Sequence, residues 1–366
     1  MALTAGIVGL PNVGKSTLFN AITNAQVEAA NYPFATIDPN VGVVEVPDKR
    51  LEKLTELVIP KKTVPTTFGF TDIAGLVKGA SRGEGLGNKF LGNIRETDAI
   101  CEVVRCFRDN DVTHVEGDVN PIRDIETINL ELIFADLESV EKRMARLEKK
   151  AKSGDKEAKA EMEILVPLKE LLENSKPARM LQLEKDQEAI IKQFNLLTRK
   201  PIIYVANLGE EDLEDPTQNP FYNDVVEFAK QEGADVVPIC AKIEAELVGL
   251  DPEEKAMFLA DLGIEESGLD KLIKEAYKIL GLRTYFTAGV QEVRAWTFKE
   301  GMTAPEMAGV IHSDFQKGFI RAETYSYDDL VEYGSVQALK EAGKIRQEGK
   351  QYVGQDGDIM LFKFNV

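Results

Sequence analysis

Short, largely apolar runs recur along the first 240 residues of the chain and are separated by polar or amphipathic stretches. Runs of this length are typical of buried strands, and strands that alternate with helical patterns predict an α/β fold. The predicted strands cover residues 5–8, 41–46, 66–72, 99–105, 201–206 and 235–239.

A helical pattern interrupts this alternation between residues 121 and 198. Apolar side chains recur there at alternating spacings of three and four, the seam of a coiled coil, at Leu130, Ile133, Leu137, Val140, Met144 and Leu147. Ser-Gly-Asp at residues 153–155 breaks the helix, and a second apolar helical stretch around residues 162–172 is expected to fold back on the first. We therefore predict an antiparallel helical coiled-coil insertion.

From residue 283 onward the chain consists of short β-rich runs, which predict a compact α+β module. Within this module we expect Trp296 to pack in the core, with stacking on nucleic-acid bases as the alternative. The predicted domains are residues 1–120 together with 199–282, the insertion 121–198, and the module 283–366.

The charge of the chain is strongly acidic, with a net value of −18 over 366 residues, which argues against unspecific coating of nucleic acid. Residues 142–159 are the exception, because they hold eight basic and three acidic side chains. Such a patch suits a phosphate backbone, although a solvated helix face with mixed charges is the alternative.

Targeting and membrane signals are not found in the sequence, which has neither a basic leader with an apolar stretch nor eighteen consecutive apolar residues. The three cysteines lack the spacing of a disulfide framework or a metal site. We expect a soluble, cytoplasmic protein that is monomeric and does not bind membranes.

Residues 9–16 read Gly-Leu-Pro-Asn-Val-Gly-Lys-Ser and lie between a predicted strand and a predicted helix. In that context the glycines let backbone N–H groups surround phosphates, the lysine reaches the β and γ oxygens, and the serine hydroxyl faces Mg²⁺. The sequence therefore predicts a nucleoside-triphosphate site with Lys15 as a catalytic residue. The predicted nucleotide contacts in this loop are Asn12, Val13, Gly14, Lys15, Ser16 and Thr17.

An Asp-x-x-Gly element, residues 72–75, follows the predicted strand 66–72 at the end where open α/β sheets place ligands. We predict that Asp72 holds the Mg²⁺ shell and that the Gly75 backbone N–H meets the γ-phosphate during catalysis. Ser16 and Thr36 are the predicted hydroxyl ligands of the same Mg²⁺ ion.

The predicted base-binding loop departs from that of an ordinary GTPase. Asn207-Leu208-Gly209-Glu210 stands where a guanine site has Asn-Lys-x-Asp, so Leu208 replaces the lysine that covers the base and Glu210 is one methylene too long. An acceptor built for one base leaves unpaired groups with another, so we expect adenine to be favoured over guanine. Cys240 and Ala241 fit the last base-contacting loop.

These motifs together resemble the Obg-related GTPase superfamily and, within it, the YchF family of ribosome-associated ATPases, over the whole chain. The resemblance implies a P-loop NTPase domain with a helical insertion, a C-terminal TGS domain of β-grasp type, ATP as substrate, Mg²⁺ dependence and contact with the ribosome. Ribosomal RNA is then the expected partner of the basic patch. The departures are Cys240 in place of the usual serine and Ala35 before Thr36, where a hydroxyl residue is frequent.

The residue that orients the attacking water is not evident, because Leu76 stands where Ras-like enzymes carry a glutamine. We predict slow intrinsic hydrolysis. His114 is a candidate to orient the water, and the alternative is a histidine that only fixes a loop. Asn12 is a candidate ligand of a K⁺ ion beside the phosphates.

Three functions stay open at this point. The first is a slow ATPase switch coupled to ribosome binding, and the second is a GTPase of the same architecture in which Glu210 reads guanine. The third is a nucleotide-stabilised scaffold with little turnover.

Overall fold

A computed structural model describes residues 3–25, 40–75, 86–109 and 117–365. Two compact units make up the chain: Met1–Val43 with Gly69–Ala276, and Val44–Phe68 with Tyr277–Val366. The predicted nucleotide domain included residues 44–68, whereas the structure groups these residues with the C-terminal unit.

The first unit contains a six-stranded sheet whose order is β2-β4-β1-β5-β6-β7. The bounds of its strands are β1 Thr4–Val8, β2 Val41–Glu45, β4 Thr67–Asp72, β5 Ala99–Arg105, β6 Ile202–Asn207 and β7 Asp235–Ile239. All residues of β5 and β6 are buried, as expected of central strands covered on both faces.

Parallel pairing brings the carboxyl ends of these strands to one edge of the sheet. Ile7 of β1 lies opposite Asp72 of β4, and Asn207 of β6 lies opposite Ile239 of β7. The loops predicted to bind nucleotide therefore leave the sheet on the same side. The helices around the sheet are α1 Lys15–Asn24, α3 Leu86–Glu96, α7 Pro220–Glu232, α8 Ala241–Leu247, α9 Pro252–Asp261 and α10 Gly268–Ile279.

The insertion is a helical hairpin, as its pattern predicted. Helix α4 (Pro121–Lys152) begins at the Asn120 cap, whose side chain accepts from the Arg123 N–H, and α5 (Lys156–Glu173) begins at the Asp155 cap. A short helix, α6 (Lys185–Ile191), follows. Five of the six predicted seam residues belong to one apolar cluster with α5: Ile133, Leu137, Val140, Met144 and Leu147.

A buried carboxylate joins the entry and the exit of the insertion. Asp136 is 2% exposed and accepts from the backbone N–H groups of Leu197 and Thr198, both at 2.8 Å, and from the Thr198 hydroxyl. Because these donors satisfy the carboxylate, its burial costs less than that of an unpaired charge. None of the helices in the described ranges is long and apolar enough to span a membrane.

The second unit contains a mixed sheet in the order β11-β10-β12-β8-β9-β3. Its strands are β3 Thr63–Val64, β8 Leu282–Ala288, β9 Val293–Lys299, β10 Phe319–Ser326, β11 Arg346–Glu348 and β12 Asp358–Phe364. Its helices are α2 Lys49–Val58, α11 Ala304–Ile311, α12 Ser313–Lys317, α13 Tyr327–Tyr333 and α14 Val336–Glu341.

Successive residues of this second sheet enter different apolar clusters. Phe286 and Ile359 pack with Leu54 of α2, whereas their neighbours Tyr285 and Met360 pack in a second cluster. This alternation is the period of two of a strand covered on both faces. Trp296 packs against the second cluster, and its indole N–H donates to the Thr287 hydroxyl, as the core-packing expectation requires.

Candidate nucleotide-binding site

The loop between β1 and α1 is closed by Gly14, which has a φ of 95° and precedes the helix. A Cβ atom at this position would lie 2.1 Å from the Asn207 Nδ2 atom. Gly9 is similarly confined, since its Cβ would lie 2.9 Å from Val13 and 3.0 Å from the Val103 carbonyl oxygen. Gly14 is therefore required by conformation and by space, and Gly9 by space alone.

The N-terminus of α1 has the features of a phosphate site. It carries no acidic residue in its first turn and no side-chain cap from the described residues, and Ser16 and Thr17 are exposed there. Asn12 is exposed, with a φ of 63°. Backbone N–H groups at such a terminus bind anions directly, and the helix dipole adds to the attraction.

Lys15 and Asp72 form an ion pair at the phosphate end of the site, with 2.5 Å between Nζ and Oδ1. The side chains are 11% and 31% exposed, so both retain access to solvent. The pair places the predicted phosphate-binding cation next to the predicted Mg²⁺ carboxylate. Gly75 follows on the same edge and is exposed, with the Gly9 carbonyl oxygen 3.8 Å from where its Cβ would stand.

Two predicted site residues, Thr36 and His114, lie outside the described ranges, as does Leu76. Within the described part of the chain there is no cluster of three or more His, Cys, Asp or Glu side chains suited to a metal. A site made of one carboxylate and hydroxyl groups is the type that binds Mg²⁺ together with substrate phosphates.

Asn207 connects the phosphate loop to the base-binding loops. It is 3% exposed; its Nδ2 donates to the Val13 carbonyl at 2.8 Å, and its Oδ1 accepts from the Ala241 N–H at 3.0 Å. A buried amide that uses both ends in this way fixes the two loops relative to each other. The structure thus brings the phosphate loop, Asn207 and Ala241 into one contact network.

The two residues that distinguish this base loop differ in exposure. Leu208 is 2% exposed, and its backbone N–H donates to the Ile239 carbonyl, so the side chain is part of the interior. Glu210 begins a 3₁₀ turn, Glu210–Asp212, and its side chain is 52% exposed. The Lys242 ammonium lies 3.9 Å from the Glu210 carboxylate across the base loops.

Cys240 and Ala241 lie at the start of α8 and are 4% and 3% exposed. Burial raises the pKa of the Cys240 thiol, so the thiol is neutral at physiological pH. Sequence reasoning did not assign a role to Asn219, whose amide group donates to Asp212 at the end of the Glu210–Asp212 turn. The Asn-Pro pair at 219–220 signals a helix start, but its other contacts have no local signature.

Two family models match separate segments of the chain. The model described as a 50S ribosome-binding GTPase matches residues 4–136. The YchF-GTPase C-terminal model, described as a protein of unknown function, matches residues 282–365.

Full-length relatives share the same organisation. The ribosome-binding ATPase YchF of Bacillus subtilis strain 168 is 65% identical, and that of Escherichia coli O157:H7 is 56% identical, each over 100% of both chains. The solved structure of the Schizosaccharomyces pombe YchF GTPase superposes with a TM-score of 0.89 at 42% identity, covering 99% of this chain and 97% of that one.

Proposed function

The chain belongs to the YchF family, and we propose that it hydrolyses ATP to ADP and phosphate with Mg²⁺ as a switch that binds the ribosome according to its nucleotide state. The observation that carries the proposal is the contact network at the sheet edge. Lys15 meets Asp72 at the phosphate end, and Asn207 joins the phosphate loop to Ala241 at the base end. A nucleoside triphosphate is the ligand that spans both ends.

Catalysis in this site rests on positioning and electrostatics, as in other phosphoryl-transfer enzymes. Lys15 and the N-terminus of α1 stabilise the negative charge on the phosphates, and the Gly75 N–H is proposed to meet the γ-phosphate. Ser16 and Asp72 supply oxygen donors that fit Mg²⁺, which when bound neutralises charge on the β and γ oxygens. Thr36 stays the predicted further ligand.

Leu76 stands where Ras-like enzymes carry a glutamine and has no group that hydrogen-bonds the attacking water, so we propose His114 as the residue that orients this water. A K⁺ ion held by Asn12 is the second part of this proposal. Equal turnover in K⁺ and in Na⁺ would contradict the role of the cation. Loss of turnover in a His114→Ala variant with unchanged ATP affinity is the expected result for the histidine.

Preference for ATP is supported by the base loop. The Glu210 side chain is one methylene longer than the aspartate of a guanine site, and its carboxylate lies near Lys242. Leu208 stands where a guanine site has the lysine that covers the base, and its side chain is buried. The alternative, a GTPase of the same architecture, is favoured by the name given to the S. pombe structure.

Paired titrations of ATP and GTP with Mg²⁺, followed by turnover with and without ribosomes, test the proposal. We expect ATP to bind at least about tenfold more tightly than GTP, and the double variant Leu208→Lys, Glu210→Asp to weaken or reverse this preference. Glu211→Asp, at the exposed neighbouring position, is the matched control and is expected to leave the preference unchanged. Guanine preference in the parent would favour the GTPase, and binding without turnover would favour a scaffold.

Ribosomal RNA is the proposed partner of the insertion tip. The basic side chains here differ in their partners: Lys142, Arg143 and Lys152 pair with Glu138, Glu161 and Glu148. Five other basic side chains around the tip are exposed, namely Arg146, Lys149, Lys150, Lys156 and Lys159. An exposed positive group on an acidic protein provides a local site for a phosphate backbone.

Charge reversal at Lys149, Lys150 and Lys156 tests the tip. We expect weaker ribosome binding and a salt dependence whose slope falls by about one per lost phosphate contact. The double variant Lys340→Glu, Lys350→Glu changes exposed lysines of the second unit and serves as the control. Unchanged binding and slope in the tip variant would favour a solvated helix face and contradict the RNA contact.

A further inference from the structure

An asparagine at the start of α7, Asn219, forms a side-chain hydrogen bond to the base loop. Asn219 is 7% exposed, and its Oδ1 accepts from the Tyr222 N–H at 3.0 Å as the cap of that helix. Its Nδ2 donates to the Cys106 carbonyl at 2.9 Å and to the Asp212 Oδ2 at 2.7 Å. Every hydrogen of the amide group and its oxygen are therefore engaged.

The two acceptors of this amide are Cys106, which follows β5 beside the start of the base loop, and Asp212 at its end. The Cys106 N–H donates to the Asn207 carbonyl at 2.8 Å, which fixes the start of the loop at the end of β6. Asp212 ends the 3₁₀ turn that Glu210 begins. Asn219 therefore determines where the turn that carries Glu210 stands relative to Asn207, although it lies outside the loop itself.

We propose that Asn219 is a positioning residue for nucleotide selectivity, because its amide group links Asp212, at the end of the Glu210–Asp212 turn, to the Cys106 carbonyl beside Asn207. The inference rests on the proposed nucleotide-hydrolase function. A side chain that ties the end of this short turn to the neighbouring strand limits the positions available to Glu210, and selectivity between bases depends on the position of such an acceptor.

The variant Asn219→Asp tests the two hydrogen bonds that the Asn219 amide donates. Aspartate is also a good helix cap, but it places a carboxylate against the Cys106 carbonyl and the Asp212 carboxylate. We expect the ratio of ATP to GTP affinity to change by about tenfold, while the affinity for inorganic tripolyphosphate changes less than about twofold. Asn223→Asp is the matched control, because it adds the same charge to the same helix and breaks only an exposed bond to the Thr217 carbonyl.

The double variant Asn219→Asp, Asp212→Asn reverses the direction of the bond and removes the repulsion between the carboxylates. It is expected to recover most of the lost selectivity, which a general loss of stability would not do. Asn219→Ser keeps a helix cap without the charge and replaces the aspartate variant if that variant does not fold.

The inference would be overturned if Asn219→Asp lost affinity equally for ATP, GTP and tripolyphosphate. It would also be overturned if the ratio of ATP to GTP affinity were the same in Asn219→Asp and Asn223→Asp. The parent protein tests the proposed function separately: a parent without ATP preference contradicts that function, whereas a changed ratio in Asn219→Asp still supports the role of Asn219. A parent with ATP preference and an unchanged ratio in the variant contradicts only the inference.

Discussion

The two ends of the nucleotide site are held by different kinds of contact. At the base end, the buried amides of Asn207 and Asn219 donate hydrogen bonds to backbone carbonyls and to Asp212. At the phosphate end, the ion pair of Lys15 and Asp72 joins two side chains that retain solvent access. Hydrogen bonds donated by buried amides fix geometry, whereas an ion pair near solvent responds to the charges of a ligand. We therefore expect base selectivity to depend on the geometry of the fold, and phosphate chemistry to depend on charges that a phosphate group contacts directly.

Removing the charge at the phosphate end is expected to have the largest effect. Lys15→Ala eliminates the ammonium group that stabilises the phosphates, so kcat/KM for ATP should fall by about 100-fold to 1,000-fold. The ratio of ATP to GTP affinity should change little, because the base contacts remain. Steady-state turnover and nucleotide titrations measure both quantities.

Lys53→Ala is the control for that substitution, because Lys53 lies in the second unit and pairs with the exposed Glu56. If turnover of Lys15→Ala stayed within about threefold of the parent, the phosphate end would not depend on this charge, and the proposed difference between the two ends of the site would be wrong.

Asn207→Ala is expected to have the next largest effect and tests the base end. The substitution leaves the Val13 carbonyl and the Ala241 N–H without their partner, and each unpaired buried group costs about 1 to 3 kcal/mol. ATP affinity should fall by about 10-fold to 100-fold, and the loss should be nearly independent of ionic strength. Titrations at low and high salt measure it.

Asn207→Asp separates the two bonds of this amide. Aspartate keeps an acceptor for the Ala241 N–H but turns a carboxylate toward the Val13 carbonyl. If the link to the phosphate loop matters most, the aspartate variant should bind ATP no better than the alanine variant. A markedly better affinity would place the main effect at Ala241 instead.

Local sequence signals predict the phosphate end, because the conformation of its loop is a local requirement. Gly14 needs a positive φ, and this demand follows from a loop of eight residues. The lack of room for a Cβ at Gly14 is instead set by the distant Asn207 side chain. The heptad seam predicted the insertion from local spacing, since Leu137 and Val140 lie on one face of a single helix. Strands β5 and β6 were predicted because both are short runs of mostly apolar residues.

The contacts that were missed join positions far apart in the sequence. Asn219 and Cys106 are 113 residues apart, and the sequence around Asn219 indicates only a helix cap. Residues 44–68 contain an ordinary amphipathic helix and a short strand. Contacts with distant residues place them in the second unit, such as the pairing of Thr63 with Val293 and the packing of Leu54 against Phe286. The burial of Leu208 likewise depends on neighbours that no local pattern specifies.

Glu244, a buried ionisable residue of α8, gives the stability of the protein a pH dependence. Glu244 of α8 is 4% exposed and accepts from the Gly268 N–H at 2.8 Å. Burial raises the pKa of Glu244 to about 7, and Asp270 adds to this, while the N–H groups of Gly268 and Leu269 and the Lys255 charge oppose it. Since the folded state holds this proton more tightly than the unfolded chain, the contribution of Glu244 to the free energy of unfolding is lost as pH rises from about 4.5 to about 7.

Glu244→Gln should remove this part of the pH dependence, because glutamine keeps an acceptor for the Gly268 N–H and does not titrate. We expect the free energy of unfolding at pH 8, relative to pH 5, to improve by about 1 to 3 kcal/mol over the parent. Urea denaturation across this pH range measures the difference, with Glu246→Gln on the exposed side of the same helix as the control. Parallel pH profiles for the parent and Glu244→Gln would mean that Glu244 is ionised in the fold, and the base end would then also depend on a buried charge.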